Sequence, residues 1–195
     1  MTSRSEYRLL PRQDNADKRL AAIGARIGLV SPERLQQVEE KYVAVDREIH
    51  RLESSGIAAC PELDAMLEAR DSTRVTGSAR LADLLRRPNV SYADIAPFDP
   101  LRPELPQAVT ESVEIQIKYA GYLARQRKQV EEFKREEARL LPENTDYNAI
   151  AGLRLEARQK LSQIRPVSIG QAGRISGVSP ADIAVLLIYL ESLEP

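Results

Sequence analysis

Apolar residues along this chain recur mostly at intervals of three and four, the spacing of one face of a helix. Leu35, Val38, Tyr42, Val45, Ile49 and Leu52 follow one another at 3, 4, 3, 4 and 3, a heptad seam opened by Ser31-Pro32 and closed by Ser54-Ser55-Gly56. A single stripe cannot bury itself, so the seam must pack on another helix, in this chain or in a partner. Before it, Asp14 or Asn15 can cap a shorter helix with Leu20, Ile23 and Ile27 on one face and Gly28 just past its end. From about Gln107 to Arg139 no proline intervenes, and Val109, Val113, Ile117, Ala120 and Ala124 repeat at 4, 4, 3 and 4. This predicts one long helix, flanked in its first half by Ile115, Tyr119 and Tyr122 and heavily charged in its second around Val130 and Phe133. It is the expected antiparallel mate of the seam.

Between these elements the pattern breaks. Residues 57 to 103 carry prolines at 61, 88, 97, 100 and 103 and read as a connector of short helical pieces near 63–69, 79–86 and 92–96. After Leu141-Pro142 come further pieces at 147–150, 155–164, 169–175 and 180–193, the last started by Ser179-Pro180. The expected organisation is a basic arm and first helix over 1–30, a helical bundle with a proline-rich connector over 31–142, and a compact helical subdomain over 143–195. The fold class is all-α, a bundle of two longer helices plus a small C-terminal subdomain.

Composition narrows the function. Aromatic content is 5%, Trp is absent and charged residues make up 29%, the habit of a helical protein. The net charge of -1 supplies no global field toward nucleic acid or membrane, so any such binding must come from local patches. The apolar run from Ile183 to Leu190 is far too short to span a bilayer, and the N-terminus has no apolar signal region, which points to the cytoplasm. The lone Cys60 and lone His50 cannot build a Cys/His zinc site, and they read as a spectator thiol and a surface helix residue. No Gly-rich dinucleotide loop, P-loop, HExxH or nucleophile elbow occurs, so no catalytic residue, cofactor ligand or metal ligand is assigned.

Two basic clusters remain. Residues 1 to 30 carry a charge of +3, with Arg4, Arg8 and Arg12 spaced every four residues along the arm, where they can reach phosphates or form ordinary salt bridges. Residues 147 to 180 carry +4 through Arg154, Arg158, Lys160, Arg165 and Arg174 against Glu156. The stretch 168–190 has a helix, glycine turn, helix rhythm, but its second helix is apolar where a DNA-reading helix needs polar side chains, so no DNA binding is expected.

Three motifs in order carry a resemblance across the chain. Thr2-Ser-Arg-Ser-Glu-Tyr-Arg-Leu-Leu-Pro-Arg-Gln-Asp-Asn-Ala-Asp-Lys-Arg-Leu20, Val113-Glu-Ile-Gln-Ile-Lys-Tyr-Ala-Gly-Tyr122 and Ser168-Ile-Gly-Gln-Ala-Gly-Arg-Ile-Ser-Gly-Val-Ser-Pro180 resemble the C-terminal portion of the GidA/MnmG family. These are tRNA uridine 5-carboxymethylaminomethyl modification enzymes. The resemblance implies an intact homodimeric enzyme that uses FAD, NADH and methylene-tetrahydrofolate and works with the GTPase MnmE on the wobble uridine. This chain resembles only its last third, without the flavin domain, and is expected to be inactive and cofactor-free alone. The same resemblance places Arg4, Tyr7, Arg8, Arg12 and Lys118 on the tRNA or active-site side, and Gln171, Arg174 and Ser176 where the GTPase docks or tRNA is held. Tyr119 and Tyr122 fall in the middle motif, where structural packing is at least as good a reading as a functional role, and Gly121 there can allow close helix approach. Pro11 and Gly173 are minor departures from the family pattern.

Overall fold

The computed structural model describes residues 7–193, so Arg4 lies outside the described residues. The elements, in order, are α1 (Ala16–Arg26), α2 (Pro32–Ser54), β1 (Gly56–Ala58), α3 (Pro61–Ala69), β2 (Ser78–Arg80), α4 (Leu81–Leu85), α5 (Gln107–Glu137), α6 (Leu155–Ile164), α7 (Ile169–Gly173) and α8 (Pro180–Leu193). Among the described residues the regular structure is helical apart from the antiparallel pairing of β1 with β2, which aligns Ile57 with Ala79, and an isolated bridge of Leu140 with Ser168. Two compact units divide the chain, Met1–Gln126 and Arg127–Pro195, the division falling inside α5 rather than at the Leu141-Pro142 break.

In the first unit α2 starts where the sequence places it: the Ser31 hydroxyl accepts from the Arg34 backbone N–H at 3.2 Å, and Pro32 opens the first turn. Its seam turns inward, with Val45 and Leu52 fully buried and Val38 and Tyr42 nearly so. The mate is not the expected one. The backbones closest to α2 are α1 and α4, while α5 joins the same core through Val109, Val113 and Ile117 without pairing closely along α2. The reason is that the supposed connector is the core's filling. Leu63 and Leu67 of α3, Ala82, Leu84 and Leu85 of α4, and Val90 are all completely buried. Residues 92–96 form turns rather than a helical piece, closed by a 3-10 turn over Ala96–Phe98.

A buried ionic cluster locks this wedge in place. Arg51 on α2 donates from Nε and Nη2 to Glu48 at 2.8 Å each, and reaches Asp99 in the wedge, with Nη1 at 2.9 Å from one carboxylate oxygen. Both carboxylates are almost wholly buried, Glu48 at 2% and Asp99 at 6% exposure. The Tyr92 hydroxyl donates to Glu48 at 2.7 Å while the Tyr92 backbone N–H donates to Glu114 of α5 at 2.8 Å, so one residue bridges α2 and α5. Burial, reinforced by Glu48, pushes the Tyr92 phenol up to about 12.

The α1 helix is inverted relative to its pattern. It joins the α2 core through the small Ala21 and meets α2 through a polar clasp in which the Tyr42 hydroxyl and Lys41 ammonium donate to Asp17 at 2.6 and 3.0 Å. Burial works to raise the Asp17 carboxyl, but those two donors outweigh it and hold it below the usual carboxylate range. The face of Leu20, Ile23 and Ile27 exists as read but stands about half exposed.

The second unit has its own core, in which Ala157, Leu161, Ala172 and Leu186 are fully buried and Leu141, Tyr147, Ile150 and Leu190 close around them. Residues 147–150 are turns, not a helical piece.

The two units repeat one order of elements. A long helix is followed by an extended pairing, a helix, a second extended segment, a five-residue helix and a capped turn. The pairing is β1 with β2 in the first unit and a bridge of Leu140 with Ser168 in the second. Chain positions 80–96 and 168–184 correspond without a gap, α4 at 81–85 matching α7 at 169–173. Both end in nearly the same words, Val90-Ser-Tyr-Ala-Asp-Ile-Ala96 and Val178-Ser-Pro-Ala-Asp-Ile-Ala184.

Replacing Arg51 strips two buried carboxylates of their shared counter-charge. The Arg51→Ala variant is expected to lose about 3–5 kcal/mol of stability, read as a lowered urea midpoint with Tyr fluorescence or circular dichroism.

Candidate recognition surfaces

The repeated words are working capping boxes. In the second unit the Ser179 backbone N–H and hydroxyl donate to one Asp182 oxygen at 2.8 and 2.7 Å, and the Asp182 N–H returns a 3.3 Å bond to the Ser179 hydroxyl. Arg154 then closes on Asp182 with Nη2 at 2.6 Å and Nε at 3.1 Å, and donates to the Gly177 carbonyl at 3.1 Å. Asp182 is 1% exposed, and the Arg154 guanidinium holds its carboxyl far below the ordinary carboxylate range. In the first unit Ser91 and Asp94 repeat the box at 2.8, 2.7 and 3.3 Å, and Arg70 takes the part of Arg154 at 2.6 Å.

The repeat also assigns a partner to Arg174. It ends α7 and pairs with Glu137, the last residue of α5, at 3.3 Å, as Arg86 behind α4 pairs with Glu53 near the end of α2 at 3.5 Å. Gly170, one residue into α7, fits tightly there: a Cβ would lie 3.1 Å from both the Cβ and the carbonyl oxygen of Glu137. Gln171 turns its side-chain oxygen back to the Val167 N–H at 2.7 Å, and its own N–H donates to Ser168. Gln171, Arg174 and Ser176 all remain exposed on one short segment.

Most of the second basic cluster is engaged within the unit. Arg158 donates to the Ile150 carbonyl at 3.2 Å and Arg165 to the Glu143 carbonyl at 3.1 Å, in addition to Arg154 and Arg174. The outer side of α8 is apolar instead. Val185, Ile188 and Tyr189, with Ala149, Ile150 and Ser192, line an open groove of about 340 Å³, and Ile188 is 66% exposed.

The arm is folded by its own arginine. Arg12 grips Asp14 through two bonds of 2.9 and 3.0 Å, donates to the Leu9 carbonyl at 2.8 Å, and lies 5.4 Å from the ring centre of Tyr119. The Arg12 bond holds the Asp14 carboxyl below its usual value. Tyr7 adopts φ 53°, and its carbonyl accepts from the Leu10 N–H at 2.9 Å, giving the arm a tight turn beside the exposed Arg8. Lys118 belongs to the wedge's network, donating to Glu114 at 2.8 Å and to the Pro88 carbonyl at 3.1 Å. The structure thus brings Arg12 beside the Tyr119 of the middle motif, and it spends the charges of Arg12 and Lys118 largely on neighbouring acceptors.

Sequence reasoning passes over Asp94, Asp182 and Arg70, and reads Arg154 only as one member of a basic cluster. The signal was available in the repeated Val-Ser-x-Ala-Asp-Ile-Ala, which no search for periodic apolar faces would pick up. His50 is exposed as expected, Cys60 is a half-buried free thiol at the start of α3, and no cluster of three metal-ligating side chains occurs among the described residues.

Comparison with known proteins gives the class of this mainly helical chain of two capped units. Two family models match consecutive stretches: the tRNA modifying enzyme MnmG/GidA C-terminal helical domain over residues 32–127 and the MnmG/GidA C-terminal helical bundle over residues 129–195. Their junction coincides with the division between the two units. The tRNA uridine 5-carboxymethylaminomethyl modification enzyme MnmG of Caldicellulosiruptor saccharolyticus is 53% identical over 98% of this chain, and that of Bacillus subtilis 47% over the same share. In each case the chain spans 30% of the relative's length. A solved structure of Aquifex aeolicus GidA superposes with a TM-score of 0.64 at 37% identity, over 97% of this chain and 29% of that one. The chain belongs to the MnmG/GidA family and carries its C-terminal helical region.

Asp182 contributes stability because its folded pKa is depressed. That contribution is present above the unfolded value of about 3.9 and fades as pH falls toward the folded one. At pH 7 the Asp182→Asn variant is expected to cost about 1.5–3 kcal/mol, and the gap from the parent should narrow below about pH 4 in thermal melts taken across pH.

Proposed function

We propose that this chain is the recognition region of a tRNA wobble-uridine modification enzyme, docking the partner GTPase MnmE through residues 143–195 and assisting tRNA binding with basic side chains. The observation that carries the reading is family membership joined to the second unit's surface, where Gln171, Arg174 and Ser176 are exposed and α8 offers an apolar groove around Ile188. A partly apolar docking face with a charged rim suits a protein partner. On this reading the arm, with Tyr7, Arg8 and Arg12, stands toward the tRNA together with Lys118.

The whole enzyme's chemistry belongs outside these residues. Family resemblance implies FAD, NADH and methylene-tetrahydrofolate, a homodimer and a cytoplasmic setting for the intact protein. This chain's residues do not fit a dinucleotide: the one sheet among the described residues is two strands of three residues, and no Gly-rich loop joins a strand to a helix. No chemical step is assigned to them. No helix among the described residues is long and apolar enough to cross a membrane.

A second reading, a purely structural scaffold supporting the flavin domain, is favoured by α1. Its large apolar face of Leu20, Ile23 and Ile27, continued by Leu29 at 80% exposure, suits an apolar surface packed against it.

The two readings separate in size-exclusion chromatography with light scattering of the chain mixed with MnmE, with and without tRNA, at low and high salt. Docking predicts a salt-resistant complex that Ile188→Asp weakens about tenfold or more and that Arg174→Glu also weakens. A folded chain that shifts with neither partner would leave the scaffold reading standing.

A further inference from the structure

The strongest feature left unexplained is a bare stretch of α5. Tyr119 and Tyr122 are 40% and 62% exposed, and Ala120, Gly121, Ala124 and Arg125 around them are exposed as well. The two rings sit 6.3 Å apart and tilted by 56°. Gly121 weakens a helix interior, yet a Cβ there would meet nothing within 4 Å, so nothing within the described structure requires the absence of a side chain. Glycine is favoured where a ligand must come close to the backbone.

The repeat sharpens the anomaly. Glu53 and Glu137 hold equivalent places at the ends of α2 and α5, each paired with the arginine behind its short helix. Counting back from them, Leu35 and Val38 of the α2 seam correspond to Tyr119 and Tyr122 of α5. In α2 those two positions are aliphatic and packed into or against the core; in α5 they are tyrosines facing solvent. Exposed aromatics with basic side chains among them are the composition of a stacking surface for unpaired bases. Arg12 lies over the Tyr119 ring, 5.4 Å from its centre, and the exposed Arg125 lies one turn beyond Tyr122.

We propose that Tyr119 and Tyr122 form a stacking platform for an unpaired base of single-stranded RNA, with the exposed Arg125 attracting an adjoining phosphate. This rests on the tRNA-binding reading above and specifies what part of the RNA the chain holds: an extruded or loop nucleotide rather than a duplex. Tyrosine suits the task because every base offers a π-face to its ring, so the platform takes bases with little regard to sequence.

The test is fluorescence anisotropy of the 195-residue chain with a seven-nucleotide single-stranded RNA and with a blunt RNA duplex. A 2-aminopurine placed in the single strand reports stacking directly. The parent chain is expected to prefer the single strand and to quench the 2-aminopurine. The Y119A/Y122A pair should lose about 5- to 150-fold in single-strand affinity together with the quench, while Y119F/Y122F keeps both. Tyr122→Ala alone, at the more exposed ring, serves should the double variant unfold, as circular dichroism would show. Unchanged binding and quench in the alanine variants would overturn the platform while leaving tRNA binding by other residues intact, and would mark the tyrosines as a protein-covered face. A parent chain that binds no RNA would overturn both readings together.

Discussion

Arg51 holds two buried carboxylates that would otherwise repel each other, and the first unit is arranged around that constraint. Glu48 lies one turn away on the same helix, but Asp99 belongs to the segment that fills the space between α2 and α5, so the guanidinium fixes where that segment can sit. With Asp99 anchored, Tyr92 is placed to bridge Glu48 and Glu114, and Lys118 completes the line to the Pro88 carbonyl. Aliphatic packing alone tolerates sliding; a bidentate ion pair with defined directions does not. The core leucines of α3 and α4 pack around a frame whose register is already set.

The long helices were legible because their information is local. Ser31-Pro32, the 3–4 seam and the proline-free run from 107 onward specify start, face and length without reference to the rest of the chain. Periodicity tells which side of a helix is apolar and not what covers it. That is why the seam of α2 alone points to α5 as its mate, and why the face of Leu20, Ile23 and Ile27 carries no sign of standing in solvent. The three-residue strands at 56–58 and 78–80 carry too few residues to show alternation, and their existence depends on a pairing across the nineteen residues from 59 to 77. The prolines of 57–103 read as a loose connector, although proline at the first turn of α3 is as compatible with buried structure as with linkers.

The recognition surfaces were legible only as charge. Sequence locates Arg12, Lys118 and Arg174 but not their acceptors, which lie 2, 4 and 37 residues away respectively on Asp14, Glu114 and Glu137. Once those bonds are known, the basic clusters shrink, and the exposed polar segment of 171–176 and the aromatic stretch of α5 become the features to explain. The resemblance over three motifs gave the family, which residue patterning alone could not.

The capped turns also bear on how such a chain is made. Each box closes between residues three apart, and its arginine comes from 24 residues away in the first unit and 28 in the second. Every stabilising link of the first unit is available once residue 126 has left the ribosome. At about 5–20 residues per second, the 56 residues from there to Asp182 take roughly 3–11 s to emerge, ample time for a small helical unit to fold before its repeat exists to compete for the same contacts. Two nearly identical boxes in one chain would otherwise invite exchange of their arginines, and the order of synthesis guards against it.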